Sequence, residues 1–505
     1  MSSVGTGIKS GGKMLAELVP PKMLPKNLGA TELVTIYFAI IFGAYGASQM
    51  AAGGWAAFSM LGLAAVVFLL PAVLASYELG TLFPGEGGIY IWADKTMGKI
   101  HGFIAGWLSW VAVFLLLPLV STAFAQHLQV ALGVEWELWA TVVIQVAVVC
   151  LITILCLAKV SVSLNLINKI FFVSAGTAVV VLVCGLVHLA TEGNANPIGA
   201  VSDVATLNLG TYGFIFSAAV LWLLGVETPF NMGAEFKDPK KGIGQMLTLG
   251  SIALLVGYSI GILGTLLITP VADINPTTGL AEAVKSVSGL LGVIVALGIC
   301  AAVLSQGLAY MTAYSRLLFV SGIERRLPRV FAHVGQKSQQ PVPAILLQAV
   351  LAIAVIALFF SLGSLNTAFQ LYLAALIGVW CLSIFYLYTG IIQARRNHQA
   401  QYAERGDQVW KIPGGALGLW LTAIVGVAGN IAAIYYVFKL PFTDEISAGE
   451  WRTWVAGLIL AGVISGVIVF LISEIKNRGK SIDDQLAELA VDDSIPDSIA
   501  SPGAT

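Results

Sequence analysis

Windows of about 20 consecutive apolar residues, the length a helix needs to cross a bilayer, recur along this chain and decide its fold class before any other feature. They lie near 31–52, 55–81, 102–132, 138–158, 164–190, 211–234, 244–269, 287–318, 343–361, 364–393, 415–440 and 452–476, which predicts an all-α polytopic membrane protein with about twelve transmembrane helices. The third and tenth windows are long enough for tilted helices. Basic residues test this count, because cytoplasmic loops of membrane proteins carry an excess of Lys and Arg. With the N-terminus inside, the inner segments collect Lys9, Lys13, Lys22 and Lys26, then Lys95 and Lys99, Lys159 and Lys169, Lys237, Lys240 and Lys241. Further along they collect the five from Arg316 to Lys337, the four from Arg395 to Lys411, and Lys476, Arg478 and Lys480. Lys285, Lys439 and Arg452 fall outside, three of the 26 Lys and Arg residues. Both termini are therefore expected in the cytoplasm.

Composition agrees. The 505 residues are 58% hydrophobic and 10% charged, with mean hydropathy +0.88, whereas soluble domains carry about 25% charged residues. A net charge of −1, with no basic block interleaved with aromatics, points away from nucleic-acid partners. The five cysteines all sit inside apolar windows, have no CxxC spacing and are expected to be small core hydrophobes. Loops stay under roughly 25 residues, short of the ~50 an independent soluble domain needs. The expected division is a retained cytoplasmic arm at 1–30, a transport core at 31–393, two peripheral helices at 415–476, and a disordered acidic tail at 477–505 carrying Asp483, Asp484, Glu488, Asp492, Asp493 and Asp497.

Two windows cannot run as unbroken helices. In WLLGVETPFNMGAE, Trp222 to Glu235, Pro229 has no N–H and its ring would press on the carbonyl of Gly225, with Glu227 in the same break. Freed backbone at membrane depth is tolerated only where it lines a cavity or is buried in protein. A proline kink with Glu227 bonded to a neighbouring helix is the simpler alternative. In the first window Gly43 and Gly46 flank Tyr45, and two glycines three apart permit unwinding or the close approach of another helix. Interruptions in the first and sixth spans, five apart, fit two five-helix repeats of inverted topology meeting at a midplane site. Half-helix N-termini would face a carboxylate and open carbonyls an ammonium, which suits a zwitterion such as an amino acid.

Three further stretches narrow the class. ELGTLFPGEGGIYIW (78–92), GVETPFNMGAEFKDP (225–239) and SRLLFVSGIERRLP (315–328) read alone as tight inner turns capped by basic residues. Together and in this order they resemble the amino acid, polyamine and organocation transporter superfamily, over roughly residues 30 to 475. Within it the chain looks most similar to the glutamate and gamma-aminobutyrate antiporter group, through GAYGASQMAAGGWAAF, the GEGG turn and KIPGGALG at Lys411 to Gly418. The resemblance implies a 5+5 inverted repeat with discontinuous helices 1 and 6, two peripheral helices and transport by alternating access. It implies that the backbone after Gly43, at Tyr45, Gly46 and Ala47, receives a substrate carboxylate. It further implies that the backbone from Leu221 through Trp222 and Leu224 to Gly225 receives its ammonium, and that Glu227 senses protons or gates. Gln306 matches an acidic position of acid-resistance antiporters and Tyr310 an aromatic one. Some proton-coupled relatives carry a lysine in the middle of the fifth helix, but here Lys169 lies at its cytoplasmic start.

Trp222 and Trp380 sit well inside their spans, where an aromatic face over an ammonium is worth about 0.5 to 2 kcal/mol; lipid anchoring is the alternative for each. Trp107 and Trp110 share a helix face and are expected to pack, and Gln126 and His127 are expected to be snorkelling polar groups. Enzyme signals are weak: GYSIG at Gly257 to Gly261 falls inside a span with no strand before it. The Gly-Lys-Ser at 479–481 has Glu474 where a phosphate-binding loop needs glycine. The histidines form no ligand pattern, so no metal and no cofactor are expected. The expected activity is secondary active amino acid transport, as an antiporter, with a small amino acid and the lipid bilayer as partners. A proton-coupled symporter is the alternative within the class, and a channel or a membrane sensor the alternatives outside it. Gly462 and Gly466 form a GxxxG that would serve a homo-oligomer.

Overall fold

The computed structural model describes residues 14–335, 337–360 and 364–477, so the acidic tail from 478 and the start of the arm lie outside the described residues. In chain order its main helices are α1 (Ala30–Ile41), α2 (Ala44–Ala51), α3 (Ala56–Leu82), α4 (Ile89–Met97), α5 (Lys99–Leu132), α6 (Leu138–Leu157), α7 (Val160–Thr191) and α8 (Leu209–Leu221). There follow α9 (Pro239–Ile268), α10 (Gly279–Val287), α11 (Gly289–Ile323), α12 (Val342–Phe360), α13 (Leu365–Asn397), α14 (Gly415–Lys439) and α15 (Ala448–Asn477). Among the described residues there is no strand, only the isolated bridges Leu28 to Phe236 and Glu86 to Met232.

Ten of these helices are long and apolar enough to cross a membrane, eleven when α1 and α2 count as one span bent by 41°. The expected sixth span differs. Only α8, a shorter apolar helix, is α-helical there, and Trp222 to Phe236 runs through turns, two 3-10 segments and two isolated bridge residues. Two helices were not foreseen: the stretch expected as one Pro-Gly turn is the end of α3, a short loop and then α4, and α10 precedes α11. Inside α3, residues Ala65–Leu69 widen into a π turn just before Pro71, whose missing N–H breaks the regular ladder.

Burial grades across the molecule and locates the core. The apolar windows of α5 and α13 are 83% buried and that of α15 only 22%. It packs through glycine: a Cβ on Gly466 would lie 2.5 Å from Trp107 Cδ1 and one on Gly462 3.2 Å from Val111 Cγ1. Trp107 Nε1 donates to Gly462 O at 3.2 Å. The GxxxG therefore holds α15 to α5 within this chain, which removes the argument it offered for a homo-oligomer.

One end of the helix bundle holds a cluster of buried charge. Arg316 is part of α11 rather than a loop, and is fully buried. Its Nη2 lies 2.9 Å from Glu235 Oε1 and its Nε 3.7 Å from Glu86 Oε1, while Nη1 also donates to Gln340. Glu86 Oε2 in turn accepts from Ala234 N–H at 3.0 Å. Burial, and then the nearby Glu235 carboxylate, push the Glu86 carboxyl well above its usual range against the pull of Arg316. The loop bearing Glu86 presses against the opened chain so closely that a Cβ on Gly233 would lie 2.1 Å from Gly85 O. All three family-like stretches thus meet in one cluster.

Two substitutions test these contacts by thermal unfolding in detergent. Gly466→Leu should destabilise by about 1 to 3 kcal/mol through overpacking, whereas Gly457→Leu, on the exposed side of α15 with open space around it, should leave the midpoint unchanged. Arg316→Met strands two buried carboxyls and should cost about 3 to 5 kcal/mol. Adding Glu86→Gln and Glu235→Gln should recover part of that loss, and a wild-type midpoint for Arg316→Met alone would contradict the ion-pair account.

Candidate functional site

Helix α1 stops because Phe42 and Gly43 are extended, with ψ of 109° and 110°. The carbonyls this releases lie in a buried, apolar setting and need donors from elsewhere. The Tyr258 hydroxyl, from α9, donates to Ile41 O at 2.8 Å and accepts from Gly43 N–H at 3.1 Å. From α11, the Gln306 Nε2 donates to Ile40 O at 3.3 Å, and its Oε1 accepts from the Tyr45 hydroxyl at 2.9 Å. The break therefore falls at Phe42 and Gly43, not on both sides of Tyr45 as expected. Tyr45, Gly46 and Ala47 instead form the first turn of α2, where Gly46 N–H closes onto Gly43 O at 2.8 Å.

Gly46 serves close approach rather than unwinding. A Cβ there would lie 2.5 Å from Trp222 Cδ2, and one on Gly43 2.8 Å from Trp222 Cζ3, so the indole lies flat over the small residues that open α2. Trp222 Nε1 donates to Gln49 Oε1 at 2.8 Å, and Gln49 Nε2 donates to Gln370 Oε1 at 3.3 Å. Tyr45 meets the same indole edge-on, centroids 4.8 Å apart at 88°. A lipid-anchor role for Trp222 is excluded by its burial.

The sixth span opens at Gly225, whose φ of +106° is a conformation that favours glycine. Pro229 is not the cause. Helix α8 has already ended at Leu221, and Pro229 sits in the first turn of the 3-10 segment Thr228–Asn231, where its missing N–H costs little. The Gly225 carbonyl that the proline was expected to free accepts from Thr228 N–H at 3.0 Å, and that of Leu221 accepts from Leu224 N–H at 3.0 Å. A Cβ on Gly225 would lie 3.1 Å from Ile40 Cγ2 and 3.4 Å from Trp380 Cη2, so the two breaks touch.

Glu227, two residues beyond Gly225, is fully buried. Its Oε1 accepts from Trp380 Nε1 at 2.6 Å, while Oε2 has no partner of hydrogen-bond geometry among the described residues. Tyr310 and Tyr314 stack at 5.8 Å and both meet Trp380 edge-on, at 5.9 and 6.0 Å. The Tyr314 hydroxyl lies 2.9 Å from that of Thr228. Gln306, Tyr310 and Tyr314 follow one another at intervals of four along α11 and so share a face. Trp380, like Trp222, is a buried polar-capped aromatic and not an interface anchor.

The structure thus gathers the expected Gly43, Tyr45, Gly46, Trp222, Gly225, Glu227, Gln306, Tyr310 and Trp380 around the meeting point of the two breaks, with Leu221 and Leu224 entering through backbone turns. Ala47 is turned toward α9, its Cβ 2.6 Å from where a Cβ on Gly261 would lie. Gln49, Tyr258, Tyr314 and Gln370 were missed. Tyr258 is the second residue of the GYSIG stretch weighed only as a hydrolase motif, and Tyr314 was one more step of four beyond Tyr310. Trp107 packs as expected, and His127 is buried with Nδ1 2.7 Å from Ala123 O rather than snorkelling.

The family model described as amino acid permease matches residues 28–472. An uncharacterized transporter of Legionella pneumophila is 26% identical over 395 residues, 75% of this chain and 82% of that protein. A Lactococcus lactis protein named "Probable agmatine/putrescine antiporter" is 27% identical over 250 residues, 50% of this chain and 53% of its own, and a glutamate/gamma-aminobutyrate antiporter of the same species is 21% identical over 443 residues, 82% and 84%. The crystal structure of a mutant Eremococcus coleocola manganese transporter superposes with a TM-score of 0.55 at 14% identity, covering 95% of this chain and 98% of that one, which bears on the fold alone. The chain is a multi-pass membrane protein that belongs to the amino acid permease family, within the amino acid, polyamine and organocation transporter superfamily.

Proposed function

We propose that this protein is a secondary active amino acid antiporter of a bacterial inner membrane, working by alternating access, with both termini in the cytoplasm. The observation that carries this is the contact between the two helix breaks, where the opening turn of α2 lies under Trp222 and against the turn at Gly225. The sixth helix and its opened continuation count here as a twelfth crossing, with 31–393 as the transport core and 415–476 as two peripheral helices. A substrate carboxylate is received at the N-terminal turn of α2, by the backbone around Tyr45, Gly46 and Ala47, and the ammonium by the turn from Leu221 to Gly225. Trp222 covers Gly43 and Gly46 in this conformation, so substrate entry requires the indole to move. Gln306, Tyr310 and Trp380 line the side-chain end, and Glu227 is the titrating group of the cycle.

A second reading is favoured by one feature. The Glu227 oxygen without a partner, next to the rings of Trp380, Tyr310 and Tyr314, suits an organic cation, so an amine such as agmatine or putrescine belongs in the same screen as the amino acids. The agmatine/putrescine and glutamate/gamma-aminobutyrate antiporters among the relatives support exchange in either case.

Counterflow in proteoliposomes tests exchange: vesicles loaded with unlabelled substrate should accumulate labelled substrate many times faster than empty ones, and equal rates would favour proton-coupled symport. Gly225→Leu, forced into a φ of +106° and against Ile40, should abolish uptake while the protein still inserts; near-normal uptake would count against the opened sixth helix. Glu227→Gln should flatten the pH profile of transport, and an unaltered profile would remove Glu227 from proton sensing.

A further inference from the structure

A chain of hydrogen bonds links three segments that lie far apart in the sequence. Trp222 Nε1 donates to Gln49 Oε1 on α2 at 2.8 Å, and Gln49 Nε2 donates to Gln370 Oε1 on α13 at 3.3 Å. All three side chains are buried. The direction of the chain follows from its first member. An indole offers one N–H and no acceptor, so the Gln49 oxygen has to face it, and the Gln49 amide nitrogen is left to face Gln370. Gln370 can then meet Gln49 only through an oxygen.

The amide of Gln370 is presented from a well-packed element, since the apolar window of α13 is 83% buried. Its neighbour Phe369 meets Tyr45 edge-on, with ring centroids 6.1 Å apart. Gln49 lies four residues beyond Tyr45 and so on the same face of α2. Helix α13 therefore touches that face with a ring and with an amide, and the amide contact is passed on to the indole lying over Gly43 and Gly46. With an apolar side chain at 370, the Gln49 nitrogen would be buried without this acceptor. Gln49 would then rotate to recover a bond, and the indole would lose the oxygen it donates to.

We infer that Gln370 is a positioning residue for this indole: through Gln49 it holds Trp222 closed over the opening turn of α2 and sets how often the empty protein exposes that turn. The consequence for substrate rests on the transport reading above, whereas the hold on the indole does not. Hydrogen exchange tests that hold without substrate. The full-length protein is labelled with 15N-tryptophan, the Trp222 indole signal is assigned as the one missing in Trp222→Phe, and its N–H exchange with deuterated solvent is followed in detergent. Loss of one hydrogen bond shifts an opening equilibrium by about threefold to tenfold, so Gln370→Leu should speed the exchange of Trp222 by that factor. Gln370→Glu, which keeps an oxygen toward Gln49, should stay close to wild type. The Trp451 indole, bonded to Val437 O at 2.8 Å, is the internal reference, because general loosening would speed both. Unchanged exchange of Trp222 in Gln370→Leu, or equal acceleration of Trp222 and Trp451, overturns the inference. In proteoliposomes the apparent KM of Gln370→Leu, measured with labelled glutamate, gamma-aminobutyrate, agmatine and putrescine, should fall by the same factor for whichever is exchanged, because the competent fraction of the empty protein rises. Faster exchange of Trp222 with an unaltered KM would leave the role of Gln370 standing and count instead against a substrate site beneath the indole.

Discussion

A peptide group released from a helix inside a membrane must find another partner, and the centre of this protein is arranged around that requirement. Opening α1 at Phe42 and Gly43 exposes the carbonyls of Ile40 and Ile41, which Gln306 and Tyr258 take from two other helices. Those replacements are side chains. A hydroxyl or an amide can exchange partners by rotating, which a continuous helical ladder cannot do. The break is consequently both satisfied and adjustable.

Helix α11 ties this centre to the buried charge cluster. α11 carries Gln306 at the break, Tyr310 and Tyr314 next to Trp380, and Arg316 in the buried cluster with Glu235 and Glu86. The opened sixth segment runs between the two, with Gly225 and Glu227 at one end and Glu235 at the other. A shift of the opened segment against α11 would disturb both clusters at once. Releasing Arg316 from Glu235 without another partner would leave charge buried and unpaired, which couples the positions of the two segments.

Much of this was legible in the sequence. The period and length of the apolar windows predicted nearly every long helix, because transmembrane helices are specified by hydropathy over about 20 residues. The two interruptions were placed in the correct spans, the first partly through Gly43, but the second was attributed to the wrong residue. Pro229 is conspicuous, but a glycine with positive φ can turn the chain without drawing attention to itself, as Gly225 does. For Gly46 both unwinding and close approach were open, and it is close approach that holds, since the glycine is the floor beneath an indole. Tyr258, Gln49 and Gln370 could not be found from spacing, since each acts on a segment far away in the chain. Arg316 was counted among loop charges because hydropathy does not distinguish a basic residue at a helix end from one paired inside the fold.

The most direct measurement is a cryo-electron microscopy structure of the protein with a transported substrate bound. The account predicts substrate density between the first turn of α2 and the turn at Gly225, with the Trp222 indole displaced from Gly43 and Gly46 and its bond to Gln49 broken. Substrate found elsewhere, with the indole still flat over Gly46, would contradict it.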